Sequence, residues 1–272
     1  MASVGIVYTG DNMLTDIFCG VMLPLLGTAI GSACVYFMKG TLNYAVQRAL
    51  NGFAAGVMTA ASVWSLIIPA IDRCESLGGL AFLPAVFGFW CGILFLLAVD
   101  RLMPHISVRL RGGDGIANKL QGTGMLVFAV ALHNLPEGMA VGAAYSAILS
   151  GDDNVSLSAA FALSLGIAIQ NFPEGAIISM PLKAHGMSRS RAFGCGFLSG
   201  VVEPLGAIIT ILLSVLVVPL LPIFLSFAAG AMIYVVVQEL IPQLYDSDGK
   251  TYGIMFFASG FSVMMALDVA LG

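Results

Sequence analysis

The chain has 272 residues, of which 59% are hydrophobic and only 10% charged, with a formal net charge of -4. A soluble domain carries about 25% charged residues, so a water-covered globule is excluded, and the negative balance excludes a basic nucleic-acid binder. The five cysteines (Cys19, Cys34, Cys74, Cys91 and Cys195) form neither a Cys-x-x-Cys metal pair nor a disulfide framework.

Apolar runs of roughly 20 residues, the length an α-helix needs to cross a bilayer, recur along the chain. Met1 to Asn12 has no basic leader region, and the first run is long enough to span rather than to be a cleavable signal. In chain order the expected spans are Leu14–Met38, Ala49–Ile71, Leu80–Leu102, Gly122–Leu149, Leu157–Leu182, Ala192–Leu216, Leu220–Leu244 and Tyr252–Leu271. The break between the sixth and seventh rests on Pro219 and Pro222. The expectation is one all-α transmembrane domain of eight helices over residues 1–272, seated in a lipid bilayer.

Ten of the eleven Lys and Arg residues fall in loops on one side of such a topology, and only Arg73 on the other. Basic loops stay in the cytoplasm. A multi-pass protein of the cell membrane with both termini outside is therefore expected.

Two internal repeats stand out. Phe53-Ala54-Ala55-Gly56-Val57-Met58 recurs as Phe227-Ala228-Ala229-Gly230-Ala231-Met232, and Ser65 to Pro69 matches Glu239 to Pro242 with one gap. His133-Asn134-Leu135-Pro136-Glu137-Gly138 in span four recurs as Gln170-Asn171-Phe172-Pro173-Glu174-Gly175 in span five. Spans two and seven, and spans four and five, cross in opposite senses. This is an inverted repeat, a plan in which transporters place substrate sites between the halves.

The two motifs carry the chemistry. A carboxylate deep in a membrane helix costs about 2.5–3.5 kcal/mol on insertion scales. Glu137, Glu174 and Glu203 lie well inside their spans, with no Lys or Arg at comparable depth. A bound cation or protonation is what can compensate them. His133 and Glu137 share one helix face, with Asn134 on the same side, and Gln170, Asn171 and Glu174 repeat the layout. Pro136 and Pro173 each withhold a backbone N–H and free a carbonyl one turn earlier. Imidazole with carboxylates suits Zn²⁺, Fe²⁺ or Mn²⁺, whereas oxygens alone suit Mg²⁺ or Ca²⁺. His133-x-x-x-Glu137 lacks the second His of a His-Glu-x-x-His enzyme motif, so no enzyme is expected.

The paired His-Asn-x-Pro-Glu-Gly and Gln-Asn-x-Pro-Glu-Gly motifs resemble those of the ZIP (Zrt/Irt-like) metal transporters, especially the bacterial branch. The resemblance extends over nearly the whole chain. It implies a secondary transporter working by alternating access, with helices arranged 3+2+3, spans 1–3 answering spans 6–8, and a central metal site. Zn²⁺ would be the cargo, with Fe²⁺, Mn²⁺ and Cd²⁺ as alternatives. Carried over by position, the ligands would be His133, Asn134 and Glu137, then Gln170, Asn171 and Glu174, with Glu203 from span six and Met58 from span two. Glu239 would lie on the release path to the cytoplasm, beside Asp100 and His105 at a cytoplasmic helix end. Many members have His-Glu-x-Pro-His in span five, where this chain has Gln170 to Glu174. That leaves a central charge of at most -3, so one well-formed site is expected, and a second, if present, is expected to be weaker. A homodimer is left open.

Overall fold

The structure is a computed structural model that describes residues 10–38, 43–110, 116–151, 155–244 and 252–271; the side chains of residues 10–12, 103–126 and 129 lie outside the description. His105 is among these. No strand occurs among the described residues.

Eight long helical segments follow in order: α1 (Gly10–Phe37), α2 (Tyr44–Asp72), α3 (Phe82–Leu110), α4 (Ile116–Leu149), α5 (Leu157–Ala184), α6 (Arg189–Leu212), α7 (Ser214–Leu244) and α8 (Tyr252–Leu271). Among the described residues, seven helices are long and apolar enough to cross a membrane, and α4, in the position of the fourth expected span, is 34 residues long. Local chemistry sets several ends. Asn43 caps α2 by accepting from the Ala45 N–H at 2.9 Å, and Ser156 caps α5 by accepting from Ala159 at 3.0 Å. Gly78, with φ 55°, turns the chain between α2 and α3.

The boundary between α6 and α7 differs from the expectation. Helix α6 ends at Leu212, a turn before the expected Leu216, because Leu213 leaves helical geometry (φ -93°, ψ 18°). Pro219 and Pro222 sit at the starts of the next helical pieces, where a missing N–H removes no helical bond.

The repeat read from the sequence recurs in the packing. Helix α1 packs mainly on α5, and α6 on α4; α8 packs on α2, and α3 on α7. Glycines permit the close approach. Gly138 of α4 meets the backbone carbonyl of Glu203 on α6, and Gly175 of α5 meets that of Thr28 on α1. Gly56 of α2 lies on Phe257, and Gly230 of α7 on Phe89. Superposing the two halves by these contacts makes Thr28 the counterpart of Glu203, and Asp100 that of Asp268.

Both long repeat helices change winding at the same place. Residues Ser62–Ile67 of α2 and Val236–Leu240 of α7 form π-helical turns. When Phe53 is aligned with Phe227, the two turns begin at matched positions, and Ser65 falls on Glu239. The turn in α2 has six residues and that in α7 five, which is the one-residue gap in the sequence repeat. Each runs into a proline, Pro69 or Pro242, that cannot donate to the preceding turn.

The outer surface is apolar. Leu14, Phe18, Leu26 and Ile30 form an exposed stripe on α1, and Phe87, Trp90 and Leu94 do so on α3. Helix α5 is the most buried of those seven helices, and α3 and α8 are the least. Both motifs are thereby held at the centre, away from the lipid-facing perimeter.

Candidate metal centre

The first motif lies mid-way along α4 and the second mid-way along α5, each with its proline inside the helix. Asn134, Glu137, Gln170, Asn171 and Glu203 are all at most 2% exposed. Gln170 Nε2 donates to Glu137 Oε1 at 2.7 Å, which joins the two motifs directly. Asn134 Nδ2 donates to Glu203 Oε1 at 3.0 Å and to the Ser199 carbonyl at 3.4 Å. Asn171 Nδ2 donates to the Pro24 carbonyl at 3.3 Å. Those acceptors fix the orientation of each amide, with its NH₂ group on a backbone carbonyl or a carboxylate.

What remains is a set of unpartnered buried oxygens: Glu137 Oε2, Gln170 Oε1, Asn171 Oδ1, Glu174 Oε2 and Glu203 Oε2. Every one is an acceptor. A buried polar atom without a partner costs roughly 1–3 kcal/mol, and more when charged, so five such atoms call for a donor or a cation. Glu137 is within electrostatic reach of both Glu174 and Glu203. Oxygens of this kind suit a divalent ion, but among the described residues Glu137, Glu174 and Glu203 do not bring three ligand atoms within 4.8 Å of one another.

A second cluster lies beside the first. His133 Nδ1 is 3.1 Å from Glu239 Oε1, and its Nε2 is 3.4 Å from Asp100 Oδ1 without hydrogen-bond geometry. Among the described residues, Asp100, His133 and Glu239 are the one group of three His, Cys, Asp or Glu ligand atoms within 4.8 Å of one another. This cluster is partly open, with the Asp100 and Glu239 side chains 31% and 38% exposed. Tyr234 donates to Asp100 Oδ2 at 2.7 Å and leaves Oδ1 toward the imidazole. Glu239 sits on the π-helical turn of α7, whose end is tied down by Gln243 Nε2 donating to the Glu239 carbonyl at 2.9 Å. Glu174 and Glu239 lie near enough for their charges to interact.

The sequence-derived candidates are therefore divided by the fold. Asn134, Glu137, Gln170, Asn171, Glu174 and Glu203 belong to the buried centre. His133, expected there, turns its ring to Asp100 and Glu239. Met58 is 1% exposed within the apolar core of α2. His105 lies outside the described side chains. Three further residues escape the sequence reading: Thr28, whose hydroxyl is 3.3 Å from Glu203 Oε1; Tyr234; and, away from both clusters, Asp268, which accepts from Ser65 Oγ at 2.6 Å. Asp268 was open to detection as an acid inside an apolar span. Ser65 and Asp268 border a cavity of about 220 Å³ with Trp64, Pro69, Leu163 and Leu221. In the two-fold frame this pair is the counterpart of Glu239 and Asp100.

A model of the ZIP Zinc transporter family matches residues 112–268, which takes in both motifs and Glu203. The chain belongs to the ZIP zinc transporter family. It is 35% identical to zinc transporter ZIP11 of Xenopus tropicalis, over 95% of this chain and 100% of that protein. It is 36% identical to zinc transporter ZIPB of Bordetella bronchiseptica, over 97% of this chain and 84% of that protein. Zinc transporter GufA of Myxococcus xanthus is also 36% identical, over 93% of this chain and 99% of that protein. These relatives are named as zinc transporters, and the ZIP zinc transporters are not enzymes.

Proposed function

We propose that this ZIP chain is a secondary transporter that carries Zn²⁺ into the cytoplasm by alternating access. The single observation carrying the reading is the acceptor-only set of buried oxygens on α4, α5 and α6. Such a set is stable when a cation enters it, and it sits between packed helices rather than on a surface. The ion would be held by Glu137, Glu174 and Glu203 with the Gln170 and Asn171 carbonyl oxygens. It would then pass to His133, Asp100 and Glu239, which are partly open to solvent. An imidazole among carboxylates favours a borderline ion such as Zn²⁺, and the same donors admit Fe²⁺, Mn²⁺ and Cd²⁺.

In this reading eight helices span the cell membrane in a 3+2+3 plan, with both termini outside and the basic loops in the cytoplasm. The repeats around α2 and α7 would move relative to the pair α4 and α5, on faces that glycine keeps smooth. The Asp268–Ser65 cavity would be the outer approach. Met58 and His105 would stand at the margins of the path.

The test is zinc uptake into proteoliposomes holding the purified protein. His133→Ala and Glu174→Ala are each expected to lower the initial rate at least about tenfold. Wild-type rates in both variants would refute the site assignment. Saturation of the wild-type rate with rising zinc is the mark of a carrier; a linear rise would replace the carrier with a channel.

A further inference from the structure

We infer that Thr28 of α1 is a positioning residue for Glu203, fixing which carboxylate oxygen faces the transported ion. The inference rests on the reading of Glu203 as a metal ligand given above. Thr28 lies in neither motif and on a helix that supplies no ligand, so nothing in the motif pattern marks it.

Three observations carry it. First, Thr28 is 0% exposed and its Oγ1 is 3.3 Å from Glu203 Oε1. The hydroxyl has one proton and a second acceptor, the Pro24 carbonyl, at 3.4 Å. With the ion bound, the ionised Glu203 carboxylate is the stronger acceptor of the two, so the proton goes to Glu203. Second, Asn134 Nδ2 reaches the same oxygen at 3.0 Å. Two donors thus hold Oε1, while Oε2 is buried and has no partner of hydrogen-bond geometry, although the Asn171 amide also lies close to this carboxylate. A carboxylate tied at one oxygen presents the other in a fixed direction, which is how outer partners orient metal ligands. Third, the side chain of Thr28 is itself confined. A Cβ at Gly200 would lie 2.8–2.9 Å from its Cβ, Cγ2 and Oγ1, so the glycine leaves the threonine just enough room to turn toward Glu203.

The repeat explains why a threonine stands there. Gly175 packs on the carbonyl of Thr28 as Gly138 packs on that of Glu203. Asn171 donates to the Pro24 carbonyl as Asn134 donates to the Ser199 carbonyl. Thr28 therefore occupies in one half the place that Glu203 occupies in the other. The half without a third carboxylate uses that position to support the carboxylate of its counterpart.

The experiment compares Thr28→Val, which keeps shape and removes the hydroxyl, with Thr28→Ser, which keeps the hydroxyl. Initial zinc uptake is measured in proteoliposomes over a range of zinc concentrations, with melting temperature recorded for each protein. Valine is expected to raise the half-saturating zinc concentration about tenfold, and serine to return it to within about twofold of wild type. Equilibrium dialysis against Zn²⁺ adds the pair term: Thr28→Val is expected to weaken binding in the wild-type background and to add nothing to Glu203→Gln. Wild-type half-saturation in the valine protein would overturn the inference. So would an equal loss in the serine protein, or a further loss on top of Glu203→Gln. If valine lowers the yield of folded protein, Thr28→Ala against Thr28→Ser decides by the same criteria. Absence of zinc uptake by the wild type, or full activity of Glu203→Gln, would instead strike at the metal reading itself.

Discussion

Gln170 Nε2 donates to Glu137 Oε1 across 2.7 Å, and both side chains are sealed from solvent. One residue comes from each copy of the repeated motif, so the contact is the point where the two copies meet. It uses one atom of each group and leaves the amide oxygen and the second carboxylate oxygen buried with no donor.

Removing the amide tests that contact. Gln170→Ala leaves Glu137 with both oxygens unsupported, and zinc uptake is expected to fall about 10–100-fold. Initial rates in proteoliposomes check it, and the loss should appear as a raised half-saturating zinc concentration rather than as loss of folded protein.

The imidazole cluster is expected to respond in a graded way. Asp100→Ala removes a carboxylate beside His133, whereas Tyr234→Phe removes only the 2.7 Å hydrogen bond that orients Asp100. A single such bond contributes about 0.5–1.5 kcal/mol, so the Tyr234 variant should lose only a few-fold in apparent zinc affinity. The Asp100 variant should lose more. Equal losses in the two would place Tyr234 in a different role.

Close packing at the motif glycines gives a stability prediction. A Cβ at Gly138 would strike the Glu203 backbone, whereas one at Gly194 meets nothing within 4 Å. Gly138→Ala is expected to destabilise the protein by about 1–3 kcal/mol, as overpacking does. Gly194→Ala should melt within a degree or two of wild type, since it touches no special feature. Thermal unfolding in detergent compares them directly.

At the other end of the two-fold frame, Ser65 donates to Asp268 beside a cavity of about 220 Å³. Asp268→Asn keeps the shape and removes the charge. If this is the outer approach, uptake should fall at limiting zinc and recover at saturating zinc, because electrostatic attraction raises the local ion concentration more than the turnover. A loss that persists at saturation would make Asp268 part of the turnover step.

Much of the architecture is legible in the sequence because bilayer-length apolar runs and prolines leave strong local signals. The repeat of Phe53 to Met58 at Phe227 to Met232 pointed to matched helices, and even its one-residue gap has a structural meaning, the unequal lengths of the two π-helical turns. The division of the site into two clusters was less legible. A four-residue spacing puts His133 and Glu137 on one face, but they are a full turn apart along the axis, and the ring swings to the neighbours at its own level, Asp100 and Glu239. Thr28 and Tyr234 were invisible because a hydroxyl on an apolar helix is common, and the partners that give these two meaning are 175 and 134 residues away. The sixth helix ended early because Leu213 departs from helical geometry, a backbone event that hydropathy does not encode.

The unequal exchange between the two halves bears on rectification. At one end stand a serine and an aspartate, Ser65 and Asp268; at the other stand two carboxylates and an imidazole. In the middle, a threonine is the counterpart of a glutamate. The route proposed above would then be electrically lopsided even though its scaffold is nearly symmetric. Lopsidedness cannot change where net flow stops, which the ion gradient alone sets. It does change how readily each direction saturates, because an ion arriving from the Asp100 end meets a deeper well before it reaches the centre. Inward and outward zinc fluxes measured under mirrored gradients would then trace two different curves through the same protein.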